Sequence, residues 1–284
     1  MKGNKFPHID ETLMNALKED LGSGDVTTAS LVPEDSISEA LLIAKGDIIL
    51  AGTPFAERVF TMVDDRLKFM SLKREGSRVR KGSIIAKISG KTASLLIAER
   101  TALNFLQRMS GIATLTNEYI KAVKGLDVAI TDTRKTAPGL RFFDKYAVSM
   151  AGGRSHRHGL YDGVLIKDNH IVAAGGVGKA VKVARSKVHH LLKIEVEVKN
   201  IPEVREALSA GADVIMLDNM DVKMMKKAVG IIRQKKTGML IEASGNMNLQ
   251  NIREVAETGV DLISVGALTH SAPAADLSLK IRSA

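Results

Sequence analysis

Basic side chains follow the apolar, strand-like runs of this sequence, at positions where they could bind an anionic ligand. Val128–Ile130 is followed by Thr133-Arg134-Lys135, and Gly163–Ile166 is followed by Lys167. Between the two runs, His156-Arg157 comes shortly after a pair of glycines. Planar arginine side chains bind carboxylates and phosphates through two hydrogen bonds at once. The spacing therefore predicts a site for a small ligand with several negative charges.

Acidic residues occupy the equivalent positions in the next two runs. In Lys193–Val198, period-two alternation puts Lys193, Glu195 and Glu197 on one face. Carboxylates inside a sheet need a neutralising partner. One hypothesis is a structural ion-pair network with Lys193. The other is that Glu197 faces a cationic centre or a hydrated divalent ion, with Asp218 beside it on the next strand.

Small residues follow the last two runs, Met239–Ala243 and Leu262–Val265. They are Ser244-Gly245-Asn246 and Gly266-Ala267. In α/β barrels this position commonly binds phosphate on exposed backbone amides. Each glycine alone could be a turn residue, but the pair predicts a phosphate site.

These residues lie in a stretch where short strands and helices alternate. The predicted strands are Val128–Thr131, Gly163–Ile166, Lys193–Val198, Asp213–Leu217, Met239–Ala243 and Leu262–Val265, and the predicted helices are Ile201–Ala210, Val222–Gln234 and Leu249–Thr258. Such alternation predicts a parallel sheet buried on both faces. No Gly-x-Gly-x-x-Gly opens a first helix, so a barrel is favoured over a dinucleotide-binding fold.

The N-terminal part has a different pattern. It indicates helices at Asp10–Leu21 and Pro54–Met62, strands at Ser38–Leu50 and Leu67–Lys73, and short β segments flanked by glycines over 75–90. A long helical pattern covers Thr92–Val123, with a break expected at Ser110-Gly111. We expect a domain boundary within this helix.

Composition limits the function classes. The 284 residues contain no cysteine, which excludes disulfides and thiolate sites, and cytoplasmic residence is expected. Met1–Asp10 lacks the apolar core of a secretory signal, and no apolar run is long enough for a membrane span. The net charge is +9, yet only 4% of residues are aromatic, so an anionic small substrate is favoured over nucleic acid. Zinc is disfavoured because no HExxH occurs and His156 and His158 are two apart.

Motifs along nearly the whole chain closely resemble the quinolinate phosphoribosyltransferase family. They are EDLGSGDVTT (19–28), ERTALNFLQRMSGIAT (99–114), DTRKTAPGLR (132–141), HRHGLYDGVLIKDNH (156–170), IEVEVKN (194–200), IMLDNM (215–220), EASGNMN (242–248) and SVGALTHSA (264–272). The resemblance implies a type II phosphoribosyltransferase fold. This fold has an N-terminal open-faced α/β sandwich (residues 1–110, completed by 271–284) and a partly open α/β barrel (111–270). The departure is Arg154-Ser155 before His156, where the family commonly has glycine and asparagine; we expect Arg154 to face solvent.

The resemblance also implies an activity. Family members transfer phosphoribosyl from phosphoribosyl pyrophosphate (PRPP) to quinolinate with decarboxylation, giving nicotinate mononucleotide, pyrophosphate and CO₂ for NAD biosynthesis, with Mg²⁺. Carried onto this sequence, the quinolinate group is Arg100, Thr133, Arg134, His156, Arg157 and Lys167. The PRPP group is Lys135, Glu197, Asp218, Ser244, Gly245, Asn246, Val265, Gly266 and Ala267. Glu197, Asp218, Lys135 and Lys167 are the expected catalytic residues, with Glu197 and Asp218 near Mg²⁺ directly or through water.

The same resemblance implies an oligomer. Two other activities have to be weighed against the one that it implies. Arg100 corresponds to an arginine that reaches the neighbouring subunit's site, which implies a homodimer or a hexamer built of dimers. One rival is a ModD-like paralogue, which shares the Thr-Arg-Lys-Thr and His-Arg elements, and the other is a non-catalytic binder of phosphoribosyl ligands. Lys167 argues against the first rival, and Glu197 with Asp218 against the second.

Overall fold

The computed structural model describes residues 7–283. As far as residue 122 the elements are α1 (Pro7–Leu21), α2 (Val26–Leu31), β1 (Ile37–Ala44), β2 (Ile48–Ile49), α3 (Thr53–Val63), β3 (Lys68–Ser71), β4 (Arg78–Val79), β5 (Ile84–Lys91) and α4 (Thr92–Ala122). They are followed by β6 (Ala129–Thr131), α5 (Arg141–Met150), β7 (Val164–Ile166), α6 (Asp168–Ala174), α7 (Val177–Lys187), β8 (Ile194–Val198), α8 (Ile201–Ala210), β9 (Val214–Asp218), α9 (Val222–Lys235), β10 (Leu240–Ser244), α10 (Ile252–Ala256), β11 (Leu262–Ser264), α11 (Ala267–His270) and β12 (Leu277–Ser283). Within this range, none of the helices combines the length and apolarity needed to cross a membrane.

The chain divides into two compact units. The first contains the residues up to Asn117, the segment Ala137–Gly152 and the residues from Ala272 onward. The second contains Glu118–Thr136 and Gly153–Ser271. Each unit has its own sheet.

The first unit is an α/β sandwich built on an antiparallel sheet of order β12-β1-β5-β3. The last strand, β12, pairs with β1 in the register Leu41↔Lys280, so the end of the chain forms one edge of this sheet. Apolar side chains from β1, β5 and α4 fill the core, and Leu41, Ile85 and Leu95 are all at most 2% exposed. The expected open-faced α/β sandwich is confirmed.

Helix α4 is continuous, so the break expected at Ser110-Gly111 was wrong. Neighbouring segments of the same unit use both residues. The Ser110 hydroxyl donates to the carbonyl of Ala51 at 3.1 Å and accepts from its amide at 3.2 Å. A Cβ on Gly111 would lie 2.0 Å from the carbonyl oxygen of Pro273, so glycine allows a close approach of the chain. Packing within the unit outweighs the low intrinsic helix propensity of these residues.

The second unit contains six parallel strands in the order β6-β11-β10-β9-β8-β7. All five residues of β8 are buried, as expected for a parallel strand covered on both faces. Among the described residues the edge strands β6 and β7 do not pair with each other, and Arg154 makes a single parallel bridge to Thr131 beside β6. The expected partly open α/β barrel is confirmed.

Most predicted strands and helices of this unit lie within two residues of the observed bounds, but α10 is shorter than predicted. The side chain of Asn248 accepts from the amides of Gln250 and Asn251. The side chain of Asn251 accepts in turn from the amide of Asn248 at 2.9 Å. Short polar side chains that bind nearby amides in this way favour a turn over helix.

Candidate active site

A cavity of about 820 Å³ opens at the carboxyl ends of the parallel strands in the second unit. Its walls include almost all of the predicted site residues of this unit: Thr133, Arg134, Lys135, His156, Arg157, Lys167, Glu197, Asp218, Ser244, Gly245, Asn246, Gly266 and Ala267. The carboxyl ends of neighbouring parallel strands open onto one face of a barrel, which brings these distant residues together.

Two arginines, Arg134 and Arg157, line the basic part of the cavity. The Nε atom of Arg134 is buried without a hydrogen-bond partner among the described residues. A guanidinium Nη of Arg157 donates to the carbonyl of Gly163 at 2.9 Å. Burial, and then the nearby charge of Arg134, lower the pKa of Arg157. Two adjacent cations with unused donor capacity are suited to an anionic ligand.

Lys167 and Glu197 connect the basic and acidic parts of the cavity. They follow paired positions of β7 and β8, since Ile166 lies opposite Val196. The Lys167 Nζ donates to Glu197 Oε1 at 2.5 Å. Lys193 makes no ion pair with Glu195 or Glu197 in the described part of the chain, so the alternative of a network with Lys193 was wrong. The partners are Lys167 for Glu197 and His156 for Glu195.

Glu197 and Asp218 place carboxylate groups in the wall of the cavity. Glu197 is 8% exposed, and Asp218 accepts from the Asn219 side chain at 3.0 Å. Mg²⁺ prefers carboxylate and water oxygens, so this oxygen-only donor set fits the ion. Lys199 forms a close ion pair with Asp168.

The loops after β9 and β10 contain residues with left-handed backbone conformations. Gly245 has φ +100°, and a Cβ there would lie 2.2 Å from Oδ1 of Asn219. Asn219 and Asn246 also have positive φ, 52° and 49°. The Asn219 amide donates to the carbonyl of Ser244 at 2.9 Å, which joins the ends of β9 and β10.

Two predicted site residues, Val265 and Arg100, lie outside the cavity walls. Val265 is fully buried, and its amide donates to the carbonyl of Thr131 at 2.9 Å. Arg100 is exposed on α4 in the first unit. Arg154 was expected to face solvent, and its residue is exposed.

Several cavity residues were not predicted as part of the site. They are Leu165, Met216, Asn219, Glu242, Met247, Asn248, Ser264 and His270. Asn219 had a detectable signal, since it directly follows Asp218 at a strand end. Glu242 had a weaker one, an acidic residue inside an apolar strand two residues before Ser244.

Glu242 is 1% exposed and lies close to His156 and Glu195. Burial, and secondarily the charge of Glu195, raise the pKa of Glu242 to about 8. Burial therefore favours the neutral, protonated form of this carboxyl group in the cavity.

The fold and this cavity place the protein among α/β-barrel enzymes that bind polyanionic ligands at the carboxyl ends of their strands. Two family models match the chain: the N-terminal domain of quinolinate phosphoribosyl transferase over residues 25–110, and its C-terminal domain over residues 112–280. The chain belongs to the quinolinate phosphoribosyltransferase family.

Individual relatives agree with this assignment. The mitochondrial quinolinate phosphoribosyltransferase (decarboxylating) 2a of Nicotiana tabacum is 47% identical, over 94% of this chain and 80% of the relative. The chloroplastic nicotinate-nucleotide pyrophosphorylase (carboxylating) of Arabidopsis thaliana is 46% identical over the same shares. The structure of the nicotinate-nucleotide pyrophosphorylase from Francisella tularensis superposes with a TM-score of 0.93 at 40% identity, covering 99% of this chain and 98% of that one.

Proposed function

We propose that this chain transfers the phosphoribosyl group of PRPP to quinolinate and releases pyrophosphate and CO₂, forming nicotinate mononucleotide for NAD biosynthesis. One cavity combines Glu197 and Asp218 with the buried Nε of Arg134, which has no hydrogen-bond partner in the described part of the chain, and this combination carries the proposal. Carboxylates would repel the ligand of a site that binds phosphate alone. In a reaction that develops positive charge on a ribose, the same carboxylates would stabilise the transition state.

The two carboxylates of quinolinate are assigned to the basic part of the cavity. Arg134 and Arg157 provide planar donors, Lys167 provides a charge from the next strand end, and Thr133 lies alongside. When the acceptor takes Lys167, the 2.5 Å pair with Glu197 opens and releases that carboxylate toward the donor.

PRPP is assigned to the remaining walls. Lys135 neutralises the pyrophosphate, and the amides of the Gly245 and Gly266 loops hold the 5′-phosphate. Glu197 and Asp218 would hold Mg²⁺, which supplies charge neutralisation for the pyrophosphate when bound.

The chemistry then needs no covalent enzyme intermediate. The pyridine nitrogen attacks the ribose C1 as the bond to pyrophosphate breaks, and Glu197 and Asp218 stabilise the oxocarbenium-like charge. The C2 carboxylate then leaves as CO₂, its bonding electrons remain at C2 beside the positive nitrogen, and a proton replaces it there.

We also infer a homo-oligomer in which Arg100 reaches a neighbouring subunit's cavity. The support is its exposure on α4 and the family motif ERTALNFLQRMSGIAT in which it lies. Whether the assembly is a dimer or a hexamer, and residence in the cytoplasm, stay predictions.

The test combines purified protein with PRPP, Mg²⁺ and either quinolinate or nicotinate. We expect nicotinate mononucleotide and CO₂ in equal amounts from quinolinate, and no product from nicotinate. Binding of PRPP without turnover of quinolinate would contradict the proposal and favour a different acceptor, as for a ModD-like protein.

A further inference from the structure

A buried cluster of one histidine and two carboxyl groups lies at the base of the cavity. Glu195 is on β8 and Glu242 is on β10, and β9 lies between these strands. The Nε2 atom of His156 lies 3.1 Å from Glu195 Oε2 and 3.8 Å from Glu242 Oε1. Glu195 and Glu242 are 8% and 1% exposed, so this is a largely desolvated group.

The hydrogen bonds of His156 define its tautomer. Its Nδ1 accepts the main-chain N–H of Arg157 at 2.7 Å and is therefore unprotonated. The ring proton is then on Nε2, which is directed to Glu195 Oε2. Both ring nitrogens are thus engaged within the protein, and neither is left to bind a carboxylate of the acceptor.

The charges around the cluster agree with this arrangement. Glu195 has the carboxyl oxygen nearer to His156 Nε2, at 3.1 Å compared with 3.8 Å for Glu242. The charge of Glu195 also opposes the effect of Arg134 on the pKa of Arg157. Glu195 therefore offsets part of the repulsion between the two arginines.

We propose that Glu195 and Glu242 are positioning residues for the acceptor site, acting through His156. They hold the imidazole in the tautomer whose Nδ1 fixes the main-chain N–H of Arg157, and the guanidinium of Arg157 is thereby directed to the ligand. This inference rests on the proposed function for the identity of the acceptor. It changes the role expected for His156 from binding quinolinate to orienting the residue that does.

Two substitutions at one position separate positioning from bulk packing. Glu242→Gln keeps a neutral side chain that can donate a hydrogen bond to Glu195, whereas Glu242→Leu fills similar space without one. For Leu we expect the KM of quinolinate to rise about tenfold or more while the KM of PRPP stays within about twofold. For Gln we expect both constants within about threefold of the wild-type values. A parallel rise of both constants in the Leu variant, or no rise, would overturn the proposal.

The second measurement is ¹⁵N NMR of the histidine rings in the ligand-free protein, with Glu195→Gln as a further variant. We expect the Nε2–H tautomer for His156 in the wild type and in Glu242→Gln, and its loss in Glu242→Leu. A positioning role also predicts that Glu195→Gln raises the KM of quinolinate, whereas simple removal of a negative charge near a dianion would lower it. An Nδ1–H tautomer in the wild type would overturn the proposal.

Two controls separate this inference from other failures. Because His156, Glu195 and Glu242 could also ligate a cation, a stoichiometric metal found in the wild type by elemental analysis would overturn the proposal. Absence of quinolinate turnover by the wild type would refute the proposed function, but the NMR result would still decide the tautomer. Should Glu242→Leu not fold, Glu195→Gln and the wild-type spectrum decide the question.

Discussion

The side chain of Arg134 is held at the end of β6 with its buried Nε unpaired among the described residues. A buried donor without a partner costs about 1–3 kcal/mol, and a bound carboxylate would recover that cost. Binding of a carboxylate at Arg134 would therefore gain from a donor that the fold already holds in place.

Replacing Arg134 by alanine should remove at least ~2 kcal/mol of transition-state binding, because a charge-assisted contact is lost. We expect kcat/KM for quinolinate to fall at least about 30-fold. The matched control is Arg154→Ala, which removes an exposed arginine of the same unit and should change kcat/KM less than about threefold. A near-normal kcat/KM for the Arg134 variant would contradict the assigned role.

Glu242 should make the stability of the protein depend on pH. Its pKa is raised by burial to about 8, above the ordinary value of 4.5. Between these values the folded state holds a proton that the unfolded state has lost, so this contribution is complete below the ordinary pKa and declines as the pH rises toward 8. Glu242→Gln does not titrate, so its free energy of unfolding relative to the wild type should increase from pH 5 to pH 8.

Urea unfolding at pH 5, 6.5 and 8 measures this difference for Glu242→Gln. Glu254→Gln, on the exposed part of α10, is the control and should give a difference that is constant with pH. A constant difference for Glu242→Gln as well would show that the carboxyl group ionises at the same pH in both states.

At this scale the sequence predicted the residues at strand ends but not their partners. Lys167 and Asp218 could be found because each directly follows an apolar run, and Arg134 because it comes four residues after one. The pairing of His156 with Glu195 and Glu242 could not, since it depends on the strand order β10-β9-β8 and on a loop whose path the pattern does not determine. The pairing of Lys167 with Glu197 was not predicted either, because it also depends on which strands are neighbours in the sheet.

At the scale of elements, the loop between β10 and α10 requires glycine at Gly245. An alanine there would adopt φ near +100° and place its Cβ 2.2 Å from Asn219 Oδ1. We expect Gly245→Ala to raise the KM of PRPP at least about tenfold, through backbone strain of about 1–3 kcal/mol and displacement of Asn219. Gly238→Ala is the control, since nothing lies within 4 Å of its Cβ position. Equal donor KM values for the two variants would exclude this role of the loop.

In the first unit, Glu75 stabilises the start of α3. Its carboxylate accepts from the amides of Gly52 at 2.9 Å and Thr53 at 2.8 Å, and from the Tyr146 hydroxyl at 3.1 Å. Glu75→Ala should reduce the free energy of unfolding by about 1–3 kcal/mol, because three donors lose their acceptor. Glu57→Ala, on the exposed face of α3, should change it by less than about 0.5 kcal/mol in the same urea titration. A loss no larger than that of the control would show that water replaces the carboxylate.

Element types in this chain were predictable where the hydrophobic period was clear, as in β8 and α8. The break at Ser110-Gly111 was predicted wrongly because Ala51 and Pro273, which contact these two residues of α4, are distant in sequence. Local propensity does not report such contacts. The contacts of Glu75 at the start of α3 could not be predicted for the same reason, since its partners Gly52 and Tyr146 come from separate segments.

At the scale of the whole molecule, the proposed oligomer predicts that two inactive variants can restore each other. If Arg100 reaches the neighbouring cavity, a mixed dimer of Arg100→Ala and Arg134→Ala has one cavity with both defects and one with neither. Random mixing after reversible dissociation should therefore give about a quarter of the wild-type activity. The control mixture is Arg134→Ala with Lys135→Ala, whose defects lie on the same side of every cavity and should not complement. Equal activity in the two mixtures would place Arg100 outside the neighbouring site, and light scattering of the wild type would then decide whether the chain assembles at all.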